Sequence, residues 1–165
     1  MKIIIQEATP TVLFDEPVNY IVQVTDAIPL QFDGARVDRG TVQSIPNGAW
    51  TPVSFDYERF DTADYYSVVT PTYLIVPRTG RYLIGGTVGF ASNATGMRGA
   101  LLAGDIGGSA DLRSAVNGSS SNMSLSDMHW FTIGAHISMQ VYQNSGGALN
   151  LVANANSLWI IYLGP

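Results

Sequence analysis

The sequence predicts an all-β protein, a two-sheet sandwich of the jelly-roll kind. Three observations predict it. From Gly34 onward, short runs rich in β-branched and aromatic residues follow one another; clusters of glycine, asparagine and serine separate them; and no segment of useful length places apolar residues at helical spacing. At 165 residues the chain has the length of one domain and can bury a sizeable core.

Residues Met1–Asp33 read differently from the rest. Lys2–Gln6 and Val18–Val24 look like two short strands, and Pro10, Pro17 and Pro29 interrupt the stretch. Such a segment cannot make its own core. It lies either along the main domain as a strand pair or along a neighbouring chain as an extended arm, where its prolines reduce the entropy lost on ordering. Ile3, Ile5, Phe14, Tyr20 and Val22 are the apolar side chains an arm would use. Residues Gly34–Pro165 then form the main domain.

In that domain strands are expected at Arg36–Ile45, Trp50–Tyr57, Tyr73–Val76, Arg81–Ser92, Met97–Ala103, Met123–Phe131, His136–Gln143, Leu149–Ala153 and Ser157–Leu163. Turns fall at Asn47-Gly48, Asn93–Gly96, Gly104–Gly108, Asn117–Ser121 and Ser145–Gly147. Thr72–Ser92 is the stretch around which the others are arranged. Pro77 stops the run Leu74-Ile75-Val76, Arg78-Thr79-Gly80 makes a bend, and a second strand follows, so the stretch reads as a hairpin. In that second strand Tyr82, Ile84, Gly86, Val88 and Phe90 share one face, while Leu83, Gly85, Thr87, Gly89 and Ala91 share the other. The bulky face packs into a core; the small face admits a close neighbour.

The last strand, Leu158–Leu163, is apolar on both faces, which marks burial from both sides. In a sandwich the outer face of a sheet meets water, so the second apolar face calls for another subunit. Composition points the same way: 46% of residues are hydrophobic and only 13% charged. The net charge of −5 argues against a general nucleic-acid binder, which neutralises phosphates with Lys and Arg. No cysteine is present, so disulfide and thiolate chemistry are excluded, and no apolar run approaches the ~20 residues of a membrane-spanning helix. The opening MKIII is too short for the apolar part of a secretory signal.

The set Phe55, Asp61, Tyr66, Leu74, Gly80, Tyr82 and Ile84 resembles the signature of the complement globular heads, which share the tumour-necrosis-factor-like (TNF-like) jelly roll; Leu74 and Ile84 stand where that family has phenylalanine. Phe131–Gly134 leading into His136–Gln143 is similar to a second family segment, with His136 at an aspartate position. The resemblance covers about Gly40 to Leu163. It implies a ten-stranded jelly-roll β-sandwich and a homotrimer. PNGAWTPVSFDYERFD, VGFASNATG and VYQNSGGALN resemble the versions found in bacteriophage structural proteins, which implies a virion protein.

Little suggests catalysis. His129 and His136 lack a partnered nucleophile motif, no Gly-x-Ser-x-Gly elbow occurs, and two histidines without cysteine would need carboxylates to hold zinc. No cofactor is expected. Gly104–Gly108 with Asp111 lacks the alternating acids of a calcium loop and reads as a turn. The sequons at Asn93, Asn117 and Asn122 read as turn residues, and the acidic Phe55–Asp64 segment as a solvated loop or a contact for an arginine-bearing neighbour.

The expected trimer contact comprises Tyr82, Gly85, Gly89, Tyr142, Trp159 and Tyr162, because aromatic residues are enriched in interface cores and glycines allow close approach. The functional expectation is a non-enzymatic capsid decoration or cement protein that grips the major capsid protein with its arm. The alternative is the receptor-binding tip of a head or tail fibre, recognising a host-surface carbohydrate or protein through Ser92–Gly96, Asp105–Ser121 and Asn144–Gly147. Neither expectation involves nucleic acid or a membrane.

Overall fold

The computed structural model describes residues 11–14, 20–23, 32–104, 109–115 and 120–165. Two compact units divide the chain, Met1–Phe32 and Asp33–Pro165. In the first, β1 (Thr11–Phe14) and β2 (Tyr20–Gln23) pair antiparallel, with Phe14 opposite Tyr20 and Val12 opposite Val22. β1 forms where no strand is expected from sequence; Lys2–Gln6, with Ile3 and Ile5, lies outside the described residues.

The second unit is all β. Its strands are β3 (Gly34–Arg39), β4 (Gln43–Ile45), β5 (Thr51–Pro52), β6 (Tyr57–Asp61), β7 (Tyr73–Ile75), β8 (Gly80–Phe90), β9 (Met97–Gly104), β10 (Ala110–Ser114), β11 (Ser121–Phe131), β12 (His136–Gln143), β13 (Leu149–Leu151) and β14 (Asn156–Gly164). No helix occurs among the described residues. Five strands form one sheet: β10, β9 and β12 lie side by side, and β5 and β7 share the far edge of β12. Seven form the other. There β11, β8, β14, β3 and β6 run in order, while β13 joins β8 at Leu151–Phe90 and carries β4 on its other side. Between the sheets, side chains such as Leu74, Phe90, Leu102, Ile137, Leu158 and Ile160 are fully buried. This is the jelly-roll sandwich expected from sequence, with twelve strands in this unit among the described residues where the resemblance implies ten.

Three local expectations are corrected. Thr72–Ser92 is not a hairpin: β7 pairs with β12 in the smaller sheet and β8 lies in the larger, so the chain crosses the sandwich at Pro77. Val76 turns away to exchange backbone bonds with Gly134 and Ala135 at 2.8 and 2.9 Å, leaving no ladder between β7 and β8. The run Arg36–Ile45 splits into β3 and β4 because the Asp56 carboxylate takes the amides of Gly40 (2.6 Å) and Thr41 (3.2 Å), which a continuous strand would offer to a neighbour. Trp50–Tyr57 retains only Thr51–Pro52 as strand at its start. Beyond it the amides of Val53, Ser54 and Phe55 bond Met139, Gln43 and Pro71 in turn, three partners on three segments.

Two strands are unforeseen in the sequence: β6, which pairs with β3 inside the Phe55–Asp64 segment expected as a solvated loop, and β10. The register of β10, Ala110 opposite Leu101 and Ser114 opposite Met97, carries the chain from one end of the sandwich to the other. Asp105–Ser121 is therefore not one apical loop.

Candidate interaction face

The register of the larger sheet sorts its outward side chains into rows. In antiparallel pairs opposed residues share a face. Ser157 of β14 lies between Asp38 of β3 and Thr87 of β8, with Tyr57 beyond Asp38 and Ser124 beyond Thr87: a polar row. In the next row Trp159 lies between Arg36 and Gly85, with Ser126 beyond Gly85. In the third, Ile161, Leu83 and Met128 are neighbours with no polar side chain among them. Trp130, opposite Arg81, follows. Met128 and Trp130 are 61% and 47% exposed, and Ile161 and Leu83 are half-buried.

This outward face holds three of the six expected interface residues. Gly85 and Gly89 are buried, and their missing side chains are already compensated from within the chain. A Cβ on Gly85 would come within 2.1 Å of the Trp159 indole, and one on Gly89 within 2.7 Å of the Ala155 Cβ. The small face of β8 thus seats a tryptophan of the adjacent strand rather than a foreign backbone. Trp159 in turn presents its other side outward.

The other three lie elsewhere. Tyr82 is 0% exposed and points into the core, its ring 6.4 Å from Tyr65 and 6.1 Å from Phe131 and its hydroxyl donating to the Arg78 carbonyl at 2.7 Å. It has no surface left for a partner. Tyr162 also points inward, 5.1 Å from the Tyr82 ring, with the Arg78 guanidinium over it at 4.6 Å. Tyr142 is on β12, on the outward side of the opposite sheet, where its ring lies 5.5 Å from that of Trp50 beside Gly99. Tyr82 lies on the face of β8 that period two assigns to the core, and the register places Tyr162 opposite it on that face.

At one end of the outward face is an open cavity of about 610 Å³, built on the polar row and lined further by Gly40, Thr41 and Asn154. Asp38, which is 7% exposed, receives Arg36 Nε at 3.0 Å on one oxygen and Arg59 Nε at 2.8 Å on the other. Arg59 reaches it because a register shift at Arg36/Val37 leaves Arg59 as the extra residue of β6, opposite no partner. Ser157 and Thr87 hydroxyls lie 3.0 Å apart on its floor. Asp56 stands on its rim. Burial alone would raise that carboxyl's pKa, but the bonds from the Thr41 hydroxyl and the Gly40 amide, with the Arg39 charge, outweigh it and hold the pKa below its ordinary value.

Both ends of the sandwich are held by polar side chains that sequence reading passed over. At one end the fully buried Arg98 donates to the carbonyls of Asn93, Thr95 and Met97 at 3.0, 3.0 and 2.9 Å. Burial lowers its pKa from the usual value. Gln143, also buried, bonds Ile45, Ser145 and Gly147. The loops Ser92–Gly96 and Asn144–Gly147 meet there through Asn144, whose amide donates to the Met97 carbonyl at 3.3 Å, and the Ala115 amide joins them on Gly96. Asn93 accepts the Thr95 amide as a turn residue; Asn122 is on β11 and Asn117 lies outside the described residues. At the opposite end Asp33 accepts the Tyr65 hydroxyl at 2.8 Å and pairs with Arg78, while its carbonyl takes the Tyr162 amide at 2.8 Å.

His129 packs 5.2 Å from Phe131, and His136 stacks on Tyr73 at 4.3 Å; they sit in different sheets. Asp111 pairs with Arg113 at 2.5 Å, and no cluster of potential metal ligands occurs among the described residues.

No known protein family matches the chain, and no curated protein does. Solved structures do. Murine APRIL, crystallised at pH 5.0, superposes with a TM-score of 0.64 at 14% identity over 81% of this chain and 100% of its own. The globular domain of zebrafish complement 1qA gives 0.60 at 13% over 79% and 96%, and Eiger TNF from S. frugiperda 0.58 at 13% over 81% and 93%. The fold is therefore a TNF-like jelly roll. At this identity the likeness is one of fold.

Proposed function

We propose that this protein is a non-enzymatic, homotrimeric structural protein of a bacteriophage virion, a decoration protein that caps a threefold position of the head and binds its major capsid protein. The observation that carries the assembly is the uncovered row Ile161, Leu83 and Met128 with Trp130 beside it. Apolar side chains gathered on one sheet face gain by leaving water, at roughly 25 cal/mol per Å² removed, and a closed ring of three copies covers each face without leaving an open one. The virion assignment comes from the phage-like segments of the sequence and from the N-terminal unit, whose extended arm would grip the shell through Phe14, Tyr20 and Val22 among others. Binding only the assembled shell stabilises it by mass action without chemistry.

Deleting Met1–Phe32 spares the Asp33 bonds and is expected to leave a soluble trimer that no longer attaches to capsids. Unchanged attachment in a capsid co-sedimentation assay would refute the decoration role. The rigid loop end around Ser92–Gly96 and Asn144–Gly147, opposite Asp33, favours a second reading: the tip of a fibre that recognises a host surface. In that case the purified protein adheres to host cells and blocks infection.

A further inference from the structure

We propose that the cavity at the Asp38 end of the outward face is a saccharide site, selective for a sugar ring that carries a carboxylate. The cavity is complete within one chain and does not depend on the assembly reading. Its volume of about 610 Å³ falls within the ~300–1,000 Å³ common to small-ligand sites.

The charge arrangement favours an acid. Two guanidinium groups converge on a single carboxylate, so Arg36, Arg59 and Asp38 together carry one net positive charge. Their bonds to Asp38 engage Nε of Arg36 and Nε and Nη2 of Arg59, which leaves both Nη groups of Arg36 and Nη1 of Arg59 outside these bonds. Both side chains are about half exposed, at 43% and 57%, while Asp38 is held at 10%. The buried acid thereby fixes the two forks before a ligand arrives, which cuts the ordering cost of binding. Asp56 on the rim is charged as well, but its two oxygens are bonded by Gly40 and Thr41 and the Arg39 guanidinium acts on it from its own side, so that Arg39 offsets its charge.

The remaining lining suits a polyol. Thr87 and Ser157 supply a hydroxyl pair that both donates and accepts, Asn154 an amide, and Tyr57, 53% exposed with the Arg59 guanidinium 5.3 Å over one face of its ring, a second face on which the apolar side of a pyranose can rest. An acidic peptide would use the arginines but would leave the hydroxyl pair and the ring without a matching partner.

The test is isothermal titration of the full chain with a glucuronate-terminated tetrasaccharide, its glucose-terminated counterpart and a glutamate-rich peptide. The acidic sugar is expected to bind about tenfold or more tightly than either, with affinity falling as salt rises. Arg36→Gln and Arg59→Gln each weaken it about tenfold, and Tyr57→Ala weakens acidic and neutral sugars alike. Sedimentation of the same variants separates a lost site from lost assembly. If Arg36→Gln misfolds, Arg59→Lys, which keeps the charge but not the planar fork, is still expected to lower affinity. No binding at millimolar sugar, equal binding of the neutral sugar, or equal binding of the peptide overturns the proposal.

Discussion

Two halves of one sheet face differ in how they treat water. Around Asp38 the outward side chains are polar and bonded to one another: two arginines share one acid, and Thr87 meets Ser157. Around Leu83 the outward side chains are Ile161 and Met128, an apolar row, with Trp130 and the exposed Arg81 next along. The same strands supply both halves. What differs is which residues the register aligns, and the lesson is that a single sheet can carry a bonded polar surface at one end and an apolar row at the other.

The contrast can be broken most severely by placing charge in the apolar row. Leu83→Glu combined with Met128→Glu is expected to abolish the trimer while sparing the fold, since an uncompensated buried charge costs several kcal/mol; sedimentation velocity reads the shift to monomer, and a persistent trimer would place the contact elsewhere. Trp159→Ala comes next. It removes both the cover over Gly85 and part of the outward face, at about 3 kcal/mol, and is expected to lower both the melting temperature and the trimer fraction.

On the polar half the effects are smaller. Asp38→Ala leaves Arg36 and Arg59 without their shared partner; because both are half exposed, the loss in chemical denaturation is expected near 1 kcal/mol, with assembly intact. A pH scan gives a background common to both halves. Burial, then the bond to Asp33, pushes the Tyr65 phenol well above its ordinary value, and burial also raises Tyr66 and Tyr82. The folded state therefore keeps these protons to higher pH than the unfolded chain. The stability they lend is complete below the unfolded value of 10.0 and is lost as pH climbs beyond it. Tyr65→Phe is expected to flatten that alkaline loss in thermal melts; an unchanged slope would remove Tyr65 as its source.

The sequence showed much of the fold because its strands obey period two. His136–Gln143 is read to the residue, and β8, β9, β11 and β14 lie within about two residues of their expected ends. What it did not show depends on partners far away in the chain. The break at Gly40 is decided by an acid sixteen positions on. The cavity escaped notice for the same reason, since Arg36, Asp38 and Arg59 look like scattered surface charges until a register shift brings Arg59 over. β10 was hidden by its composition, with Asp111, Arg113 and Ser114 among five residues.

The bond from Tyr162 to the carbonyl of Asp33 brings the chain's entry into the sandwich beside its final strand. A reporter fused after Gly164 would thus emerge next to the root of the N-terminal unit, whereas one inserted between Ser145 and Gly146 would stand at the far pole. Imaging the two fusions mixed with capsids would test the proposed attachment by reading which pole, if either, lies against the shell.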